Sequence, residues 1–245
     1  MKNELIVEIG KKCFEGKGGT VHFTGNNEVD IVLNDLTNMP HVFVLACLMN
    51  RKIKAERAWA IPSKVFEALK ADKVEKLSKI PLEKYRKVFN AGKLHYFTEV
   101  MAEVFHSAVM DIHNKYANDA SRIWKGTPSS AAVVCKFLEF KGSGVKISTM
   151  AANILARQLN VPFSDYYSID ISPDVHVKRV MARMGYVPKG ADNDKIIYKA
   201  RELNPEFPGI IDSSCWEIGR KWCHEKSVDC ASCAVSKECK KVLHY

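Results

Sequence analysis

The 245-residue chain is 47% apolar and carries a formal net charge of +9, a composition that excludes wholesale disorder and leaves enough apolar surface for a core. The cationic excess points to an anionic partner, nucleic acid first, with a membrane surface or plain solubility as rivals. No run of about eighteen apolar residues occurs, and MKNELIVEIGKKCFEGKGG breaks its apolar stretch with charge too early for a signal peptide, so a cytosolic protein without structural disulfides is expected.

Helical punctuation dominates the chain: apolar-periodic segments separated by short Gly, Pro and Asn breaks. The exception is GGTVHFTGNNEVDIVL (18 to 33), whose alternation predicts a short hairpin turning at Gly25-Asn26-Asn27. MPHVFVLACLMNRKIKAERAWAIPSKVFEAL (39 to 69) follows as an apolar helix, a basic break and a further helix. Cys47 in this segment, and Cys135 further on, lie in apolar helical stretches and are expected to pack. His95, Tyr96, His106 and His113 fall on expected helices, where core packing or solvation is the ordinary use and a pocket lining the functional one.

From 127 to 159, TPSSAAVVCKFLEFKGSGVKISTMAANILARQL predicts two helices around a glycine turn. Thr127 is the expected N-cap with Pro128 in the first turn, and Ala131, Val134, Cys135 and Leu138 form one apolar stripe. Gly142-Ser143-Gly144 stops the first helix, and Ile147, Met150, Ala151 and Ile154 give the second its stripe. Amides exposed at this turn, with a helix dipole behind them, make a seat for a phosphate; an αα-corner without ligand is the other reading. In SPDVHVKRVMARMGY (172 to 186), Asp174 is expected to cap a helix continued by Val177 and Val180, while Asp165 and Asp170 upstream are rival carboxylates.

Near the end, Cys223, Cys230, Cys233 and Cys239 are spaced C-x6-C-x2-C-x5-C among charged neighbours, unlike packing cysteines. Four thiolates on loops this short wrap one tetrahedral zinc or one cubane iron-sulfur cluster. Zinc ribbons use two C-x2-C pairs and only one is present, which favours the cluster.

This run, with IGRKWC (218 to 223) leading into it, resembles the C-terminal cluster loop of the endonuclease III and adenine-mismatch glycosylase branch of the helix-hairpin-helix DNA glycosylases. FKGSGVK (140 to 146) is similar to the family's Leu-Pro-Gly-Val-Gly-x-Lys turn; it keeps both glycines and the lysine, with Lys141 in place of proline and Ser143 in place of valine. Asp174, His176 and Arg179 align with the family's Val-Asp-Thr-His segment. The interval before them is longer than usual by roughly ten residues, with VPFSDYYSIDIS (161 to 172) as the added stretch.

The resemblance implies an all-α, two-domain fold: a helical barrel over 34–149, and a discontinuous iron-sulfur domain formed by 1–33 and 150–245. It implies a base-excision-repair DNA N-glycosylase with apurinic/apyrimidinic lyase activity, a cytoplasmic, nucleoid-associated monomer. Its partner would be double-stranded DNA with an abasic site or a damaged base, an oxidised pyrimidine by family default. Lys146 would attack C1′ of a flipped nucleotide as a neutral amine, and Asp174 would stabilise the sugar oxocarbenium and assist proton transfer. Lys141, Gly142, Ser143, Gly144 and Val145 would meet the DNA backbone, and Asn50, Arg51 and Lys52 are the nearest candidates to fill the gap left by the extruded base. Cys223, Cys230, Cys233 and Cys239 would hold a 4Fe-4S cluster that is structural and positions DNA. Two other readings stand beside this one: a monofunctional glycosylase in which Lys146 binds phosphate, and a non-catalytic iron-sulfur DNA-binding protein.

Overall fold

The computed structural model describes residues 5–15 and 20–242. The helices in chain order are α1 (Leu5–Glu15), α2 (Asn27–Asn34), α3 (Pro40–Met49), α4 (Ala55–Trp59), α5 (Ile61–Leu69), α6 (Val74–Leu77), α7 (Leu82–Ala91), α8 (Thr98–Tyr116), α9 (Ser130–Leu138), α10 (Val145–Arg157), α11 (Val175–Arg183), α12 (Asn193–Leu203) and α13 (Asp212–Lys221). Short 3-10 turns cover Ala120–Ile123 and Pro208–Ile211. Among the described residues there is no β-strand, only one isolated antiparallel bridge between Cys223 and Val228. None of the described helices is long and apolar enough to cross a membrane. The chain divides into two compact units, one of residues 1–17, 129–134 and 152–245, the other of 18–128 and 135–151.

The 18–128/135–151 unit is built around α3. Its sequence, PHVFVLACLM, has no polar face except His41, and every one of its residues is buried. A helix apolar all round needs neighbours on every side, and α2, α4, α5, α8 and the first 3-10 turn supply them. Pro40 stands in its first turn, where a missing N–H costs nothing. The nineteen-residue α8 packs along α3 and α7, and Phe105 on it meets the rings of Phe66, Tyr85 and Phe89 with centroids 5.8–6.4 Å apart.

Of the hairpin expected over residues 18–33, residues 18 and 19 lie outside the described residues, and the second half is a helix instead. Asn26 Oδ1 accepts the amides of Glu28 and Val29 at 3.0 and 3.3 Å and starts α2 where a reversed turn was expected. Asp30 and Leu33 point inward at helical spacing while Ile31 is 63% exposed. The buried Asp30 carboxylate is satisfied by the Thr24 amide at 2.9 Å and hydroxyl at 2.8 Å.

In the other unit α11 packs on α13, and α1, α12 and α13 all meet the second 3-10 turn. The stretch 161–172 has no regular structure and is firmly tied. Tyr166 stacks on Phe207 at 4.9 Å with Phe14 edge-on at 5.5 Å, and the Gly209 amide donates to the Ile169 carbonyl at 2.7 Å. Asp170 receives two parallel bonds of 2.8 Å from Arg201, a bidentate geometry that commits this carboxylate to structure. Asp165 is likewise engaged, accepting from the Ser130 hydroxyl.

Candidate nucleic-acid interface and cysteine site

The two helices expected around the glycine turn are α9 and α10, with corrections to the first. Its start is Ser130, with the Ser129 hydroxyl accepting the Ala132 amide at 3.2 Å; Thr127, expected as the cap, has φ +53 and lies outside the helix. The buried stripe is Val133 and Phe137, continued by Phe140 just past the helix end, whereas Ala131, Cys135 and Leu138 are exposed. Both sets share helical spacing, and the one carrying two phenylalanines wins because it removes more apolar area from water. Cys135 is therefore a surface residue, while Cys47 is buried as expected. On α10, Ile147 and Ala151 are buried, and Met150 and Ile154 are half-buried.

The turn itself is fixed by contact and by backbone. Phe140 stacks on Tyr116, with centroids 6.1 Å apart, and its carbonyl accepts the Ser143 amide at 3.0 Å. Gly142 has φ +80, and a Cβ there would stand 2.9 Å from Val104 Cγ2, so two independent constraints require glycine. At Gly144 a Cβ would meet nothing within 4 Å, which marks the side of the turn that faces open space. Ser143 is half-buried with its hydroxyl 3.0 Å from that of Ser148, and Lys141 ion-pairs with Glu103, whose carboxyl the lysine holds below its ordinary value. The α10 ladder closes first between the Ser148 amide and the Gly144 carbonyl at 3.0 Å, which leaves the amides of Val145, Lys146 and Ile147 outside it. Val145 and Lys146 are exposed at this end of the helix.

Asn50, Arg51 and Lys52 follow α3 in the same unit. Asn50 ends the helix and donates to the Ala46 carbonyl at 3.2 Å; Arg51 is exposed, and Lys52 is exposed with φ +56. A second loop comes to this one. Tyr96 is 72% exposed with the Arg57 guanidinium 5.5 Å from its ring, and Lys52 Nζ lies 6.0 Å from the Phe97 ring. Arg57 also donates to the Leu94 carbonyl at 3.2 Å, so it braces the loop it stacks on. His95 is buried beneath, its Nδ1 accepting the Phe97 amide at 3.1 Å, and burial lowers its pKa. The sequence marked Tyr96 and His95 only as general pocket candidates; Arg57 and Phe97 carried no signal because the pairing joins segments about forty residues apart in sequence.

In the other unit, Asp174 caps α11, its Oδ1 accepting the amides of His176 at 2.9 Å and Val177 at 2.8 Å. The second carboxylate oxygen is left for other work, and the residue is half-buried. His176 lies against Gly219, where a Cβ would stand 2.8 Å from the imidazole, and bonds through Nδ1 to Arg179 at 2.9 Å. Arg179 then clamps the end of α13, donating to the Gly219 carbonyl at 2.9 Å and the Cys223 carbonyl at 2.7 Å. The Asp-x-His-x-x-Arg spacing thus runs from a helix cap to the first of the four cysteines.

Those four cysteines, all half-buried, border one cavity with Arg183 and Trp222. Arg183 Nη1 lies 3.3 Å from Cys223 Sγ, and the Lys241 amide donates to Cys239 Sγ at 3.3 Å. Burial, together with mutual repulsion of the thiolates, pushes the Cys233 and Cys239 thiols up. Four thiols bordering one cavity, with a guanidinium directed at one sulfur and an amide at another, are a donor set that fits a thiolate-bound metal centre, zinc or iron-sulfur. As the side chains stand, no three His, Cys, Asp or Glu among the described residues close on a single ion.

No family model matches this chain, and no curated protein matches it either. Solved structures do. A trapped endonuclease III–DNA covalent intermediate is similar at TM-score 0.62 and 16% identity, over 96% of this chain and 93% of that one. A thermostable thymine-DNA glycosylase gives TM-score 0.62 and 16% identity over 97% and 96%. An 8-oxoguanine glycosylase/lyase of Clostridium acetobutylicum, solved with DNA, gives 0.57 and 14% over 86% and 73%. At these identities the likeness is one of fold.

Proposed function

We propose, for a chain that has the fold of the helix-hairpin-helix DNA glycosylases, that it is a base-excision-repair DNA N-glycosylase with an associated β-elimination lyase activity. The observation that carries this reading is the α9–α10 turn: free amides at the start of α10, an open Gly144, and the exposed amine of Lys146 one residue into the same helix. Amides at a helix N-terminus bind a phosphate. An amine fixed beside that phosphate is held at the distance scale of one nucleotide, which is the positioning that attack on C1′ requires.

In this reading the basic loop around Asn50, Arg51 and Lys52, with Tyr96 and Phe97 beside it, contacts DNA from which one nucleotide has been extruded, because stacked duplex hides C1′. The Lys146 amine attacks C1′ and the base leaves with a proton; opening of the C1′–O4′ bond gives the imine, which acidifies the C2′ proton, and elimination expels the 3′-phosphate and breaks the strand on the 3′ side. Asp174 spends one oxygen on the cap, and its charge favours the oxocarbenium that develops as the base departs. Cys223, Cys230, Cys233 and Cys239 would hold a 4Fe-4S cluster. When bound it supplies structure and charge for DNA positioning, since all its ligand positions are cysteine, and the Arg179 clamp ties α11 to this loop.

A second reading has one observation in its favour: Lys146 is exposed, as a lysine that only contacts phosphate would be. Duplexes each carrying a single lesion, scored separately for base release and for strand nicking, separate the readings. Release with nicking supports the first, release without nicking the second, and salt-sensitive binding with neither removes both. Iron and acid-labile sulfide in anaerobically purified protein test the cluster against zinc.

A further inference from the structure

We propose that Asp212 is a positioning residue for Asp174: a second carboxyl group, tied to it through Ser172, whose own protonation sets the charge beside the cap of α11. The inference rests on the proposed role of Asp174 only for its catalytic meaning; the pairing itself stands on the geometry of one unit.

Asp212 opens α13, a place where an aspartate ordinarily faces water and the helix dipole. Here its side chain turns inward. Oδ2 accepts the Ser172 amide at 3.3 Å and the Asn153 side-chain amide at 3.5 Å, both long for bonds to an ionised carboxylate. The carbonyl of the same Ser172 accepts the Asp174 amide at 2.7 Å, so a single residue bridges the two acids.

Around this carboxyl the polar groups are under-satisfied. The Ser172 hydroxyl, 94% buried on a residue that also turns its amide to Asp212, has no partner within hydrogen-bond distance; nor do the hydroxyls of Ser213 and Ser214 that follow Asp212 on α13. Buried hydroxyls rarely stay unpaired. A protonated Asp212 carboxyl, which both donates and accepts, gives the Ser172 hydroxyl the partner it lacks.

The charges facing Asp212 point the same way. Asp174 repels a second negative charge, Arg157 of α10 attracts it, and the thiols of Cys215 and of Cys13, the latter acting on Arg157, complete the titratable surroundings. His176 is turned away onto Gly219 and Arg179. Burial first, and then the Asp174 charge, outweigh Arg157 and the Ser172 amide and push the Asp212 acid up to about 7. Below that pH Asp212 is the neutral acid; above it Asp212 adds a negative charge beside the α11 cap. The sign for stability follows. A carboxyl raised above its unfolded value binds more protons folded than unfolded, so its contribution to stability falls as pH climbs from the ordinary carboxylate range through 7.

Carbon-13 NMR of the full-length protein, labelled at aspartate carboxyls, tests this without reference to activity. One aspartate is expected to titrate near pH 7, to be missing in Asp212→Asn, and to move to lower pH in Asp174→Asn. Asp212→Asn mimics the neutral acid, so its melting temperature should match wild type below the ordinary carboxylate range, exceed it increasingly as the pH climbs from there to 7, and keep a constant margin above 7. No aspartate titrating above the ordinary carboxylate range, or one that ignores Asp174→Asn, overturns the proposal. Base release is measured in parallel. A titrating pair in a protein that releases no base refutes the enzyme reading and leaves the pair standing; base release without the titration refutes the pair alone.

Discussion

Replacing Gly142 by alanine should destabilise the 18–128/135–151 unit, and the size follows from two separate terms. The backbone at Gly142 has φ +80, a conformation that costs an L-residue about 1–2 kcal/mol. The added methyl would stand 2.9 Å from Val104 Cγ2 and 3.3 Å from Cγ1, and Val104 is only 2% exposed, so it has no free space to retreat into. Overpacking of this kind costs about 1–3 kcal/mol. Together the terms give about 2–5 kcal/mol, or about 8–20 °C in Tm at about 4 °C per kcal/mol. Gly144→Ala is the matched control: no atom lies within 4 Å of its Cβ, so Tm should stay within a few degrees of wild type while affinity for DNA falls, because the methyl stands between the amides and a phosphate. Calorimetry and a binding titration on the two variants read these terms separately. Adding Val104→Ala to Gly142→Ala should cost less than the sum of the two single changes, since the truncated side chain relieves the clash. A Gly142→Ala protein as stable as wild type, or a Gly144→Ala protein that melts early and binds DNA normally, would refute this account of the turn.

Arg179→Ala removes charge-assisted bonds to the Gly219 and Cys223 carbonyls; a loss of about 3 kcal/mol and reduced iron content after purification are expected, and Arg179→Lys should not restore them because one ammonium cannot span both carbonyls. Asp174→Ala should lose the cap, at about 1 kcal/mol by thermal denaturation. Asp174→Asn should keep the cap and Tm while base release falls about 100-fold or more. Tyr96→Ala, at a 72% exposed position, should leave Tm unchanged and weaken binding to abasic-site duplex by about 1–3 kcal/mol, read by fluorescence anisotropy.

The parts of the site that sequence made legible are those with local causes. Asp174 caps the helix that follows it, Gly142 accepts the φ its turn demands, and four cysteines within a short loop border one cavity. Helicity over most of the chain was legible for the same reason. What the sequence concealed depends on partners far along the chain. Residues 18–33 alternate like a strand, yet Asn26 caps a helix and Asp30 is held inside by Thr24. Two stripes through α9 and the residues just after it share one spacing, and only the packed unit distinguishes Phe137 and Phe140 from Cys135 and Leu138. Asp170 looked available until Arg201, thirty-one residues on, claimed both of its oxygens. Asp212 carried no signal at all, because its surroundings, Asn153, Arg157, Ser172 and Asp174, come from two distant segments.

The measurement that bears most directly on the central claim is borohydride trapping on duplex DNA holding one abasic site. Wild-type protein should become covalently linked to the strand, and Lys146→Ala, folded by its melting curve, should not. A Lys146→Ala protein that still forms the adduct, or a wild type that never does, would contradict the assignment of Lys146 as the attacking amine.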